Sequence, residues 1–225
     1  METLATVKVS VVLRPQHIFM DTKDRIQQKA TEQFMRLGIR SVSMDDIAGL
    51  LGVSKKTIYQ YFADKEELVD AVMQLEEKRM HHDCHHCAHV AQDAIEEIFL
   101  TMEQINEQFS QMNPVILFDL EKFHPRVFQR FLNMKNNFLL NVIRSNIQRG
   151  ITEGLYRPEI NVDMISKYRL ESTMMPFNLA LFPPAKYNLV EVTRELMEHF
   201  LYGLATLKGH KLILKYKEQI KLKRS

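Results

Sequence analysis

Tryptophan is absent, cysteine occurs twice, and glycine and proline occur seven times each in 225 residues. Two cysteines in a chain of this size make no disulfide framework, so a reducing, cytoplasmic setting is expected. Scarce glycine and proline leave few places to turn, and β-branched runs are few; together they point to an all-α chain. No apolar run reaches the roughly 20 residues needed to cross a bilayer, so no membrane partner is expected. A P-loop, a dinucleotide glycine pattern and a Ser/His/Asp constellation are all missing, so neither enzyme activity nor a cofactor is expected. His124, alone before Pro125, reads as a helix-end residue rather than a base. Net charge is only +2 with histidine neutral, which neither demands nor forbids a nucleic-acid partner, because such a binder needs just one basic face. With 45% hydrophobic and 26% charged residues, the chain has ordinary globular composition and can bury a full core in one or two domains.

What is present is concentrated in Ser43–Lys65, SMDDIAGLLGVSKKTIYQYFADK. Ser43 is an N-cap, and Asp46 completes a capping box for a helix over Met44–Leu51. Gly52 stands where a left-handed residue closes such a helix. Ser54 caps a second helix, Lys55–Phe62, and Asp64 with Glu67 caps a third. Ile47, Ala48, Leu51, Val53, Ile58 and Phe62 fall on faces that can meet in one small core. Two helices joined by so short a glycine turn cross steeply, the helix-turn-helix arrangement. Its second helix shows Lys55, Lys56, Thr57, Tyr59, Gln60 and Tyr61 outward, a set of cations, hydroxyls and one amide suited to phosphates and base edges. Before it, Thr22–Leu37 repeats Ile26, Ala30, Phe34 and Leu37 at helical spacing, stops at Gly38, and supplies a third wall.

Ser43-Met-Asp-Asp-Ile-Ala48, Gly52-Val-Ser-Lys-Lys-Thr-Ile-Tyr-Gln-Tyr-Phe62 and Asp64-Lys-Glu-Glu-Leu68 resemble the N-terminal domain of the TetR family of bacterial transcriptional regulators. The resemblance covers roughly residues 22–70. It implies a three-helix DNA-binding head over 21–66 and a helical regulatory and dimerisation body over 67–207, about nine helices or more in all. It further implies a homodimer paired through the last two body helices and a double-stranded, pseudo-palindromic DNA operator. A small-molecule ligand, at least partly apolar, releases that operator, with repression the usual outcome. Chemistry and motif together place Lys55, Lys56, Thr57 and Gln60 in the groove: Lys56 can donate to guanine, and Gln60 can pair bidentately with adenine. Ser43, Tyr59, Tyr61 and Lys65 are placed for phosphates, Lys65 at a helix N-terminus.

The rest of the chain is less decided. Residues 1–20 have strand-like composition over Val7–Leu13 and break at Pro15. They read as an extension outside the fold, with a true start at Met20, or as an arm carrying Lys8 and Arg14 to DNA. The helix opening at Lys65 runs to about Met80. The tract after it, His81-His-Asp-Cys-His-His-Cys-Ala-His89, offers His81, Cys84, His85, Cys87 and His89 as metal ligands or a thiol pair. One helix cannot surround a tetrahedral ion, so a merely histidine-rich helix end is the competing reading. A metal- or thiol-responsive regulator is therefore the alternative function, and a helical enzyme the remaining one.

Amphipathic helices are expected over Asp93–Met112, Val115–Lys122, Arg126–Gly150, Val162–Leu181 with a kink at Pro176, and Leu189–Leu207. Phe99, Met102, Phe118, Phe131, Met134, Phe138, Tyr168, Met174 and Phe177 are candidates to line a ligand pocket, although a plain core needs the same stripes. Tyr168, Arg169 and Glu171 can orient a polar ligand end. Residues 208–225 form a basic tail, with Lys208, Lys211, Lys215, Lys217, Lys221, Lys223 and Arg224 against Glu218 alone, read as a solvated helix packed on the body.

Overall fold

The structure, a computed structural model, describes residues 21–224. The expected extension 1–20, with Lys8 and Arg14, lies outside the described residues, as do the side chains of Lys223 and Arg224. The fold is all-α. In order, the helices are α1 (Thr22–Leu37), α2 (Met44–Leu51), α3 (Lys55–Tyr61), α4 (Lys65–Val90), α5 (Ala94–Phe109), α6 (Val115–Phe123), α7 (Pro125–Met134), α8 (Leu140–Thr152), α9 (Val162–Ser172), α10 (Leu189–Leu204) and α11 (Leu207–Arg224).

The head forms from its caps. The Ser43 hydroxyl accepts the Asp46 N–H at 3.1 Å while the Asp46 carboxylate accepts the Ser43 N–H at 2.8 Å. Gly52 takes φ +66° and turns the chain into α3, a conformation that a side chain would strain. Ile26, Ala30, Phe34, Ile47, Ala48, Ile58, Phe62 and Leu68 then meet in one buried core. The large apolar members each contribute roughly 1.5–3 kcal/mol by leaving water. That core does not stop at the head: Ile116 and Leu120 of α6 and Val127 of α7 are buried in it. A second core joins α5, α8, α10 and α11 through Ile95, Phe99, Ile147, Tyr156, Leu201 and Ile213. The fully buried Tyr156 lies over Gly150, and its hydroxyl reaches Ala94 O at 3.1 Å and Asn146 Oδ1 at 3.2 Å.

Three stretches differ from the periodic expectation. The helix opening at Lys65 passes without a break through the histidine tract to Val90. The long helix expected over Arg126–Gly150 widens to a π turn at Lys135–Leu139, where Lys135 is buried with its ammonium 2.8 Å from the Glu171 carboxylate. A π turn of this kind is a local insertion within an otherwise continuous helix. The helix expected over Val162–Leu181 ends at Ser172. There the Ser172 and Thr173 hydroxyls donate to Arg169 O at 2.7 Å and Leu170 O at 2.6 Å. Pro176 brings no N–H, and a short 3-10 turn, Met175–Phe177, follows.

The basic tail is α11, packed on the body by buried Ile213, by the Tyr216 hydroxyl donating to Asp93 at 2.7 Å, and by the Lys217–Glu198 ion pair at 2.5 Å.

Candidate nucleic-acid interface and body cavity

Helix α3 is short and held from one side. Ser54 caps it, accepting the Thr57 N–H at 3.1 Å, and Ile58 anchors it in the head core. The opposite face shows Lys55, Lys56, Tyr59 and Gln60 exposed, with Thr57 half-buried beside them. Lys56 and Gln60 sit one turn apart, and no partner holds either among the described residues. Lys55 is drawn aside to Asp45, 2.9 Å away, and lies 5.9 Å from the centre of the Tyr59 ring. Tyr61 is half-buried and packs against the head core.

Two of the expected phosphate ligands are engaged within the head. The Ser43 hydroxyl donates to Asp46 at 2.7 Å while accepting its N–H, so both of its roles serve the cap. The Lys65 ammonium donates to Ile39 O at 2.6 Å and lies over the Phe34 ring, pinning the α1–α2 loop to α4. Burial pulls its pKa below the ordinary lysine value, with Asp119 and Asp46 opposing that pull.

The body encloses a cavity of about 260 Å³ between the two cores. Met35, Met73, Ile116 and Leu120 line it on the head side, and Ile147, Met197 and Phe200 on the other. Of the residues expected to line a pocket, Phe131, Met174 and Phe177 do so. Phe99 and Met102 are buried in the second core and Met134 is buried as well, and none of the three is on the cavity lining. Phe138 is taken by His81, which stacks on it at 3.6 Å. Phe118 and Tyr168 are 45% and 56% exposed, because they stand on the solvent faces of α6 and α9. Arg169, noted in the sequence for a polar ligand end, lines the cavity; Met35 and Met73 carried no signal beyond helical spacing.

The histidine tract is divided by its helix. His85 and His89 are exposed and His81 lies on Phe138, whereas Cys84 and Cys87 turn toward the cavity. Among the described residues no group of three or more His, Cys, Asp or Glu side chains could hold a metal ion. Burial pushes the Cys84 thiol up to about 12 and raises Cys87 as well, so both stay protonated at neutral pH, poor as ligands and as nucleophiles. Both thiols are therefore expected to react with an aromatic disulfide reagent at least about tenfold more slowly in the folded chain than in denaturant. Fast, complete modification of the folded chain would restore a thiol-based role.

Head and body are tied through α6 and α7. The Arg40 N–H donates to the Asp119 carboxylate at 2.8 Å, and the Asn113 N–H to Met35 O at 2.7 Å. His124, where α6 ends and α7 begins, contacts the Glu66 carboxylate, and Arg130 pairs with Asp70. These partners are far apart in the chain, so no local pattern announces them.

Residues 26–72 match the model of the family described as bacterial regulatory proteins, tetR family. The chain is similar to the uncharacterized HTH-type transcriptional regulator YhgD of Bacillus subtilis (strain 168), 27% identical over 141 residues that cover 62% of this chain and 74% of that protein. It is 21% identical over 160 residues to the HTH-type transcriptional repressor KstR2 of Mycolicibacterium smegmatis, covering 67% of this chain and 75% of that one. A TetR-family transcriptional regulator from Marinobacter aquaeolei VT8 shares the fold, with a TM-score of 0.69 over 89% of this chain and 98% of the other at 18% identity. These relatives are regulators rather than enzymes. A matched head, an all-helical body behind it and regulators as relatives along most of their length agree: residues 26–72 form a head of the tetR family of bacterial regulatory proteins, carried on a TetR-like all-helical fold.

Proposed function

We propose that the chain is a cytoplasmic, ligand-released repressor that binds a pseudo-palindromic operator as a homodimer. The head is 21–66, the body 67–207, and 208–225 a basic terminal segment. The observation that carries the ligand reading is the position of the cavity. Ile116 and Leu120 line it and are at the same time buried in the head's core. A molecule filling that space bears on α6, whose Asp119 holds the Arg40 N–H. A ligand that favours one placement of α6 over another shifts the head between placements, and with it operator occupancy. Repression is favoured by the Mycolicibacterium relative, a transcriptional repressor by name. Pairing of two copies is supported by apolar side chains left exposed around α9 and the segment after it: Met164, Tyr168, Met175, Leu181 and Tyr187. In such a dimer the two α3 helices face successive major grooves about 34 Å apart. Lys55, Lys56, Thr57, Tyr59, Gln60 and Tyr61 then meet the DNA, with Ser43 and Lys65 shaping the head that presents them.

The test is a footprint of purified protein on genomic fragments that it selects, with and without an apolar ligand. Two symmetric protected half-sites about one helical turn apart, lost when ligand is added, are expected. An unsymmetric or sequence-indifferent footprint defeats the operator reading. Asp119→Ala should leave ligand affinity within about threefold yet cut the ligand's effect on operator affinity by roughly five- to tenfold, since coupling between sites is typically 1–3 kcal/mol. An unchanged ligand effect in paired titrations would mean that the coupling runs elsewhere.

A further inference from the structure

Arg169 is an unusual core residue. It lies in the last turn of α9, 6% exposed, on the cavity wall. Its Nη1 donates to Ser172 Oγ at 3.3 Å, and the centre of the Phe200 ring is 5.1 Å from its guanidinium carbon. A guanidinium has five N–H donors; among the described residues no other acceptor takes one here and no carboxylate pairs with it. Three acids of the surrounding helices are committed to other cations. Glu171 holds Lys135 at 2.8 Å, Glu97 holds Arg149 at 3.1 Å, and Asp163 holds Arg144 at 2.9 Å and Lys167 at 2.8 Å. Burial draws the Arg169 pKa down to about 10, so the group remains charged at neutral pH. A buried charge without a counter-charge is unfavourable unless a partner arrives.

The cavity shows what kind of partner would fit. Among the described residues Arg169 is the one cation on its lining, and most of the remainder is apolar. The lining hydroxyls of Ser172, Thr173 and Thr193 donate back to carbonyls of Arg169, Leu170 and Leu189, so they offer a ligand no free proton. Glu76 and Asp83 of α4 and Glu97 of α5 also line the cavity, and among the described residues none of them pairs with Arg169, so Arg169 is the lining group that can seat an anion. A volume of about 260 Å³ lies just under the usual range for drug-sized ligands, so a medium-length chain suits it better than a long one.

We propose that the cavity takes an amphipathic organic acid of medium chain length, its carboxylate seated on Arg169 and its apolar tail running toward Met35 and Leu120. This inference rests on the cavity being the ligand site. It adds that the ligand is an acid and that Arg169 reads it. A planar fork meeting a planar carboxylate through two parallel hydrogen bonds gives both strength and direction.

The test is calorimetric titration of the full chain with decanoate, methyl decanoate and decanol, alongside displacement of the neutral dye Nile red. Decanoate is expected to bind roughly ten- to hundredfold more tightly than its ester or alcohol, the range for a charge-assisted hydrogen bond. Arg169→Gln should bring the acid down to the level of the ester and leave the ester unchanged; Arg169→Lys should keep part of the preference. Equal binding of acid and ester to the unaltered chain overturns the inference while leaving the cavity as a ligand site, and it needs no variant to fold. Acid preference retained in Arg169→Gln, with dimerisation weakened instead, also overturns it, because the charge would then answer a group on the second copy. If neither probe binds, the inference falls; the cavity reading falls with it when Nile red is excluded too.

Discussion

Gln60→Ala is expected to weaken operator binding roughly tenfold or more and to erase preference at one base pair in each half-site. Gln60 is exposed on α3 and, among the described residues, has no protein partner, so its amide can meet an adenine edge with both donor and acceptor, worth about 1–3 kcal/mol of discrimination. Lys56, one turn earlier on the same face, likewise has no partner among the described residues. If it reads guanine, Lys56→Ala relaxes a second position; if it meets phosphate, the loss is uniform and the salt slope falls by about 0.9. Removing both together should reduce affinity by about a thousandfold, less any coupling between such close neighbours. Titrations against the operator and its single-base-pair variants, at several salt concentrations, separate these outcomes. Base preference that survives Gln60→Ala at every position would remove Gln60 from the groove.

Lys65→Ala supplies the contrast. The ammonium already serves Ile39 O and the Phe34 ring, so its loss should appear as a less stable head, by about 1 kcal/mol, with a uniform fall in binding and a salt slope left nearly unchanged.

Gly150→Ala should lower the stability of the body by about 3 kcal/mol. A Cβ at position 150 would lie 2.1 Å from the Tyr156 ring. That ring is fully buried, and its hydroxyl is held by Ala94 O and Asn146. The Leu155 and Tyr156 N–H groups both donate to Gly150 O, at 2.9 and 3.0 Å, so the backbones cannot part cheaply either. For a chain of this size the melting temperature should fall by about 6–12 °C. Calorimetry of Gly150→Ala, Tyr156→Leu and the double variant gives the check: with the ring removed, the added methyl should do much less harm. A Gly150→Ala protein that melts like the parent would show that this contact yields easily.

The head could be read closely because its signals are local. Ser43 with Asp46, Gly52, Ser54, and Asp64 with Glu67 each act within one helical turn, and each stands as a cap in the structure. The body could be read only as helices. Periodicity marked the apolar faces of Phe99, Met102 and Phe131, yet it carries no information on whether a face meets another side chain or a void; of these three only Phe131 borders the cavity. The histidine tract looked like a helix end because histidine neither favours nor breaks a helix, and tertiary contacts decided its state. The Arg40–Asp119 and Glu66–His124 contacts join segments that no short window sees together. Arg169 could be noticed as a charge near an apolar helix end, but its burial and lack of a carboxylate partner depend on where α10 and the Met175–Phe177 turn close over it.

The unbroken run of α4 gives the molecule a lever. Its 26 residues extend about 39 Å at the helical rise, with Leu68, Val69 and Val72 fixed in the first core and Cys87 buried at the far end. A tilt of about 5° at one end displaces the other by roughly 3 Å over that length. In the proposed homodimer two such arms would swing in opposite senses, so their displacements would add. An angular change too small to disturb either core is enough to take two reading heads out of step with the turn of the double helix.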